Sequence, residues 1–231
     1  MNYQKELDGI LAQLPDKKRT LLLHSCCAPC SSYVLEYLRQ YFQITVFYYN
    51  PNISEEAEYR KRVAEEKRLI EQMNQLALEY GNQIAFLEGD YDSDKFLKKI
   101  KGLEHCKEGG ERCEQCFRIR LAETVREANK RGYDFFTTTL TISPLKNAEL
   151  INQIGQQMAE MLASEECQSI LPMRACSLYL PSDFKKKNGY KRSLELSREY
   201  DLYRQDYCGC IFSKMQREQE KIQRESLKGT R

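Results

Sequence analysis

The sequence predicts an α/β fold, a parallel sheet flanked by helices on both faces. Three observations carry that expectation. Short leucine-rich, β-branched or aromatic runs alternate with stretches of helical spacing up to about residue 165, which is the rhythm of βαβ units. Loops rich in Cys, Asn, Ser and Pro follow the first, second and fourth runs, and such sheets bind ligands at the carboxyl ends of their strands. The chain has 231 residues, 41% hydrophobic and 30% charged, enough to bury a sizeable core without staples.

Residues 20–24 (Thr-Leu-Leu-Leu-His) form the first strand, and Ser31 to Gln40 has helical spacing. Residues 43–49 (Gln-Ile-Thr-Val-Phe-Tyr-Tyr) are β-branched and aromatic, a buried strand. Asn50-Pro51-Asn52 is a turn, and Ser54-Glu55-Glu56 opens a long charged helix to about Tyr80. A third strand is expected over 83–87, then helical stretches near 93–104 and from Cys113 to Lys130. The fourth strand spans 133–139, followed by Ile142-Ser143-Pro144 and a helix over 147–164. Beyond that the rhythm weakens, and 211–228 reads as an exposed amphipathic helix. The expected organisation is one domain over 1–231. Its core covers about 18–165, and an irregular or helical, basic C-terminal part covers about 166–231.

No apolar run is long enough to span a membrane. Charges of both signs fill residues 2–19, which argues against a secretory signal and for a cytoplasmic protein. Net charge is +2, but residues 183–231 hold 13 Lys or Arg against 8 Asp or Glu. The densest basic stretch, Lys185-Lys186-Lys187-Asn188-Gly189-Tyr190-Lys191-Arg192, surrounds a turn and a tyrosine. Basic loops with aromatics suit looped RNA, and a solvated charged loop is the plainer alternative.

The unusual feature is ten cysteines, because disulfides are rare in a reducing compartment. Seven fall into three tight groups: Cys26, Cys27 and Cys30; Cys113 and Cys116; Cys208 and Cys210. An extracellular disulfide scaffold would spread its cysteines along a shorter chain behind a signal. A thioredoxin-like pair would leave five of the seven idle. Structural zinc takes four thiolates, as does an iron–sulfur cluster. A cluster plus a neighbouring metal uses all seven. Cys106, Cys167 and Cys176 read as bystanders, of the small buried hydrophobic kind.

The loop after the first strand, His24-Ser25-Cys26-Cys27-Ala28-Pro29-Cys30-Ser31-Ser32, contains no glycine. A phosphate-binding loop needs glycines there so that backbone N–H groups can approach the anion. Thiols in that place argue against ATP use and for a metal centre. Pro29 starts the next helix, which puts Cys30 one turn from Cys27. Cys113 and Cys116 lie a turn apart at a helix start, where the dipole and nearby arginines favour thiolates. Gly209 lets Cys208 and Cys210 face one centre.

Five segments make the resemblance specific: His-Ser-Cys-Cys-Ala-Pro-Cys (24–30), Tyr-Asn-Pro-Asn-Ile (49–53), Arg-Cys-Glu-Gln-Cys-Phe (112–117), Phe-Thr-Thr-Thr-Leu-Thr-Ile-Ser-Pro (136–144) and Tyr-Arg-Gln-Asp-Tyr-Cys-Gly-Cys-Ile-Phe-Ser (203–213). In order, they resemble the QueH family of epoxyqueuosine reductases, as do Asp183-Phe184-Lys185-Lys186 and Gly189-Tyr190. The resemblance implies a HUP-like fold, the PP-loop-ATPase type of parallel sheet, with its nucleotide loop replaced. It implies a [4Fe–4S] cluster and an additional iron ion held by Cys26, Cys27, Cys30, Cys113, Cys116, Cys208 and Cys210, without settling which four hold the cluster. Some family members carry Asp at the position of Cys30. A hard carboxylate suits an iron outside a cluster, which assigns Cys30 to the separate metal.

The implied reaction reduces epoxyqueuosine to queuosine at the wobble position (34) of a GUN anticodon in tRNA, the last step of tRNA queuosine biosynthesis. Two electrons come from a one-electron donor such as ferredoxin or flavodoxin. Cys30, Tyr49, Lys146 and Tyr190 are the candidate catalytic residues, and Tyr203 is a further candidate proton source. Asn50, Asn52, Arg112, Ser143, Lys185, Lys186, Lys187, Lys191, Arg192 and Arg204 are the candidates for substrate and tRNA contact. Two other readings remain: a PP-loop-like iron–sulfur tRNA sulfur transferase, which the missing glycine-rich loop opposes, and a non-enzymatic zinc-stabilised RNA-binding module.

Overall fold

The computed structural model describes residues 1–14, 19–76, 83–170 and 176–228. Five parallel strands form one sheet in the order β3-β2-β1-β4-β5. They are β1 (Thr20–His24), β2 (Gln43–Tyr48), β3 (Ala85–Glu88), β4 (Phe135–Thr138) and β5 (Leu178–Tyr179). The helices are α1 (Tyr3–Ala12), α2 (Ala28–Leu38), α3 (Glu56–Leu76), α4 (Ser93–Lys99), α5 (Glu111–Arg131), α6 (Ala148–Ile170), α7 (Gly189–Glu199) and α8 (Ile211–Lys228). A short 3₁₀ turn, Thr139–Ile142, follows β4. The expected parallel sheet flanked by helices is present.

β1 lies at the centre and pairs with β2 and β4. Leu21, Leu22 and Leu23 are fully buried, which is why this strand reads as a continuous apolar run rather than an alternating one. One core cluster joins Leu21, Leu23, Val34, Leu35, Phe42, Val46 and Leu69 with Leu180, Phe184 and Leu202 of the C-terminal part. The other joins Leu22, Phe47, Phe117, Leu121, Phe136 and Ile151.

Several expectations need correction. The helix expected over 93–104 stops at Lys99, and Gly102 takes a left-handed φ of +88°. The two-residue edge strand β5 is too short to show a sequence period. The end of the long charged helix, residues 77–80, lies outside the described residues. α1 was not anticipated. Asn2 caps it by accepting from the Lys5 N–H, and Leu7 and Leu11 pack into the first core cluster.

The basic stretch is only partly a loop. Lys187 and Asn188 have left-handed φ, and α7 begins at Gly189. A Cβ at Gly189 would lie 2.0 Å from the Phe184 carbonyl oxygen and 2.4 Å from the Tyr33 ring, so no other residue fits this entry to the helix.

Candidate metal and substrate site

The loops after β1, β2 and β4 share one rim of the sheet, as the fold class requires. Cys27 caps α2 in extended conformation and Pro29 sits in its first turn. Those constraints gather the first thiol group: the sulfurs of Cys26, Cys27 and Cys30 all lie within 4.8 Å of one another. Behind them, the Ser25 hydroxyl donates to Glu66 at 2.9 Å and lies 2.6 Å from the Ser31 hydroxyl. The two serines flanking the thiol loop are thereby tied to one buried carboxyl on α3.

The second set is assembled from two distant segments. Cys113 and Cys116 occupy the first turns of α5, and Cys208 and Cys210 arrive on the segment before α8. That segment docks on the turn after β2. The Ser54 N–H donates to the Gly209 carbonyl at 3.1 Å, the Ile211 N–H to the Ser54 hydroxyl at 2.9 Å, and the Asn52 amide to the Cys208 carbonyl at 3.5 Å. Gly209 has φ +117°, and a Cβ there would lie 2.8 Å from Ile53, so glycine is required at this crossing. Cys113, Cys116, Cys208 and Cys210 line one small cavity together with Asn52, Arg112 and Lys146. The Gly109 N–H donates to the Cys113 sulfur at 3.2 Å, and the Ser213 N–H to the Cys210 sulfur at 3.4 Å.

A larger cavity of about 170 Å³ opens beside it, lined by Cys26, Cys27, Cys30, Ser143, Lys146, Tyr190, Arg204 and Cys208, among others. Cys208 and Lys146 border both cavities. None of the seven grouped cysteines is in a disulfide. Cys176 is disulfide-bonded, which corrects its reading as a free buried thiol. The side chain of Cys167 lies outside the described residues, and Cys106 is free and half-buried.

Charge is distributed to suit anionic sulfur. Hydrogen bonds from Cys27 and Cys30 hold the Cys26 thiol well below its usual value, helped by Lys146 and Arg120 against the effect of burial. Donating to Cys26 pushes Cys27 up to about 12, and Cys30 is also raised, so the group shares one thiolate. Burial pushes Cys116 up to about 12 and raises Cys113 and Cys210. A bound metal must therefore displace protons from these thiols. Burial disfavours the charge on Lys146, but Cys208, Cys26 and Cys30 outweigh it and raise the ammonium above its usual value. Arg62, Arg112 and Arg120 are each at most 2% exposed, and Arg62 Nη2 and Arg112 Nε have no hydrogen-bond partner. Soft sulfur donors ringed by buried cations fit iron or zinc held by thiolates.

The candidate substrate residues divide. Ser143, Lys146, Tyr190 and Arg204 line the larger cavity with Cys30. Tyr49 does not: its ring stacks on Phe47 in the second core cluster. Tyr203 bonds Glu58, also away from the cavity lining. Asn50 is buried, donating to the Ser25 carbonyl at 2.9 Å and accepting from Arg120 at 2.6 Å. Arg112 is buried against Phe212 and donates to the Glu104 and Cys106 carbonyls, so it braces the four-thiol cavity rather than facing RNA.

In the basic stretch, Lys185 pairs with Asp183, Lys187 with Asp8, and Arg192 with Glu36, Glu195 and Glu199. Lys185 and Arg192 are half-buried in these pairs, while Lys186, Lys187 and Lys191 are exposed. Sequence reasoning missed Arg62, Glu66 and Arg120, all buried beside the thiols.

A parallel α/β sheet with a glycine-free thiol loop at its strand ends, joined there by a second thiol set, defines a thiol-rich α/β protein with a candidate metal centre at the sheet rim. The family model for epoxyqueuosine reductase QueH matches residues 21–216, and the chain belongs to that family. Relatives named epoxyqueuosine reductase QueH include one from Streptococcus pyogenes serotype M1, 43% identical over 94% of this chain and 80% of the relative. Another, from Staphylococcus epidermidis, is 41% identical over 93% of this chain and 85% of its own. A third, from Thermotoga maritima, is 32% identical over 87% of this chain and 93% of its own. Among solved structures, the U34-tRNA thiolase NcsA from Methanococcus maripaludis with its [4Fe-4S] cluster aligns at 15% identity and a TM-score of 0.49, covering 91% of this chain and 67% of that one.

Proposed function

We propose that the chain is an epoxyqueuosine reductase, a cytoplasmic oxidoreductase that converts epoxyqueuosine to queuosine at the wobble position (34) of tRNA with a GUN anticodon. The observation that carries this beyond family membership is the arrangement of seven free thiols, three lining one cavity and four lining a smaller one beside it, with Cys208 bordering both. The reaction breaks both epoxide C–O bonds, forms a C=C bond and releases the oxygen as water, consuming two electrons and two protons. A one-electron donor such as ferredoxin or flavodoxin supplies the electrons.

In this reading Cys113, Cys116, Cys208 and Cys210 hold a [4Fe–4S] cluster, and Cys26, Cys27 and Cys30 hold the additional iron. When bound, the cluster supplies electrons singly and the iron supplies a Lewis acid. Lys146 lines the cavity beside both thiol sets and keeps its proton there, so its Nζ is the group placed to give a proton to the departing oxygen. Tyr190, 36% exposed at the cavity wall, offers a face for a splayed base. Arg204 and Ser143 complete the polar lining. No helix among the described residues is long and apolar enough to cross a membrane.

The test is anaerobic turnover of tRNA carrying epoxyqueuosine. Brown protein that forms queuosine without ATP is expected. A colourless zinc protein without turnover, or a strict ATP requirement, would overturn the reading.

A further inference from the structure

Arg120 lies in the middle of the site, and nothing in the reaction above uses it. It is 1% exposed, on α5 one turn beyond Cys116. Its guanidinium donates in three directions: to the Cys116 sulfur at 3.8 Å, to the Asn50 side-chain oxygen at 2.6 Å, and to His24 Nε2 at 3.2 Å. Two of those directions lead to the other thiol set. Asn50 passes its amide to the Ser25 carbonyl at 2.9 Å, immediately before Cys26. His24 is two residues before Cys26 at the end of β1, and its Nδ1 lies 2.8 Å from Thr138 Oγ1 at the end of β4.

His24 Nε2 lies 3.2 Å from both Arg120 Nε and the Tyr49 carbonyl oxygen, and its Nδ1 faces Thr138. Asn50 and Thr138 carry no charge, and the Arg120 guanidinium keeps its positive charge at any working pH. Among the described residues no carboxylate is a hydrogen-bond partner of Arg120. Burying an ion this deeply is costly unless opposite charge compensates it, and the adjacent sulfurs are the groups beside it that can do so.

We propose that Arg120 is a positioning residue: a fixed positive charge that stabilises the reduced form of the centre held at Cys113, Cys116, Cys208 and Cys210, while locking that centre to the Cys26–Cys30 loop. This rests on the cluster reading given above. Reduction adds negative charge to the centre, and a nearby cation in a water-poor interior favours that state. Hydrogen bonds to sulfur and net charge are among the features that set cluster potentials.

The experiment compares wild type, Arg120→Gln, Arg120→Met and Arg120→Lys after anaerobic reconstitution. Iron, sulfide and zinc per chain, metal retention against a chelator and the midpoint potential are measured. The neutral variants should bind a centre whose reduction equilibrium is at least tenfold less favourable, about 59 mV lower for a one-electron couple. Arg120→Lys should return most of that shift. Loss of the centre in both neutral variants but not in Arg120→Lys would support the same charge requirement more strongly. Unchanged potentials in the neutral variants would overturn the proposal, and so would loss of the centre in Arg120→Lys as well, which would mark a requirement of shape. The cluster reading fails separately, on the wild type, if that protein binds zinc without iron or sulfide. The charge proposal is then decided by zinc retention, and equal retention in wild type and the neutral variants would overturn it.

Discussion

The two thiol sets are built in opposite ways. Cys26, Cys27 and Cys30 come from one five-residue span between a central strand and its helix. Their geometry is held locally by the cap of α2 and by the Ser25–Ser31–Glu66 contacts. Cys113, Cys116, Cys208 and Cys210 come from two segments that meet only because the chain after α7 folds back over the turn following β2. A three-sulfur site on one loop loses little loop entropy and faces the larger cavity. A four-sulfur site needs two distant segments brought together. In the proposed reading the local site would meet substrate, and the two-segment site would hold a resident centre that exchanges electrons.

The largest expected effect separates them through the closed set. Cys116→Ala or Cys208→Ala should abolish both the brown iron–sulfur absorbance and turnover, since four ligands are needed and four are present. Full absorbance in either variant would break the division. Next comes Cys30→Ala, which should keep the absorbance and lose turnover. Loss of the cluster there would show that the ligands are split differently.

A smaller effect probes the support of the local set. Ser25→Ala removes the hydroxyl that joins Ser31 to Glu66. It should weaken Co²⁺ binding at Cys26, Cys27 and Cys30 about 10- to 100-fold, the usual cost of removing a group that orients a metal ligand. Iron and sulfide at the closed set should stay constant. Wild-type Co²⁺ affinity would show that the serines do not position the loop.

The smallest effect is a pH slope. Burial raises the Glu66 carboxyl from 4.5 to about 8, against the hydrogen bonds from Ser31 and Ser25. The folded chain therefore keeps this proton between about pH 5 and 8, while the unfolded chain gives it up. Stability from this group is present at low pH and declines as pH rises through that window, by about 1.4 kcal/mol per pH unit at most. Glu66→Gln cannot titrate and should lose the decline, as thermal unfolding of the metal-free chain at several pH values would show. Parallel curves for wild type and variant would contradict a protonated Glu66.

How much was legible follows from the same contrast. β1 and β2 are buried central strands and show as apolar or β-branched runs, whereas the two-residue β5 carries no pattern. The seven ligand candidates could be read from spacing, but their division could not, because it depends on Gly209 crossing Ile53. Arg62 and Glu66 were overlooked although they fall on the buried stripe of α3, with Tyr59, Val63, Leu69, Ile70 and Met73. Arg120 likewise falls on the stripe of α5 with Cys116, Phe117, Leu121, Thr124 and Val125. A charged residue on an otherwise apolar helical face is a signal available from sequence alone. The ion pairs of the basic stretch were not legible because the partners of Lys187 and Arg192, Asp8 and Glu36, lie far away in the chain.

The central claim is that this fold holds two separate metal centres, four thiols around one and three around the other. Iron anomalous scattering from an anaerobically grown crystal tests it most directly. A four-iron peak among Cys113, Cys116, Cys208 and Cys210 and a single-iron peak at Cys26, Cys27 and Cys30 are expected. A lone peak, or a cluster ligated by any of Cys26, Cys27 and Cys30, would contradict it.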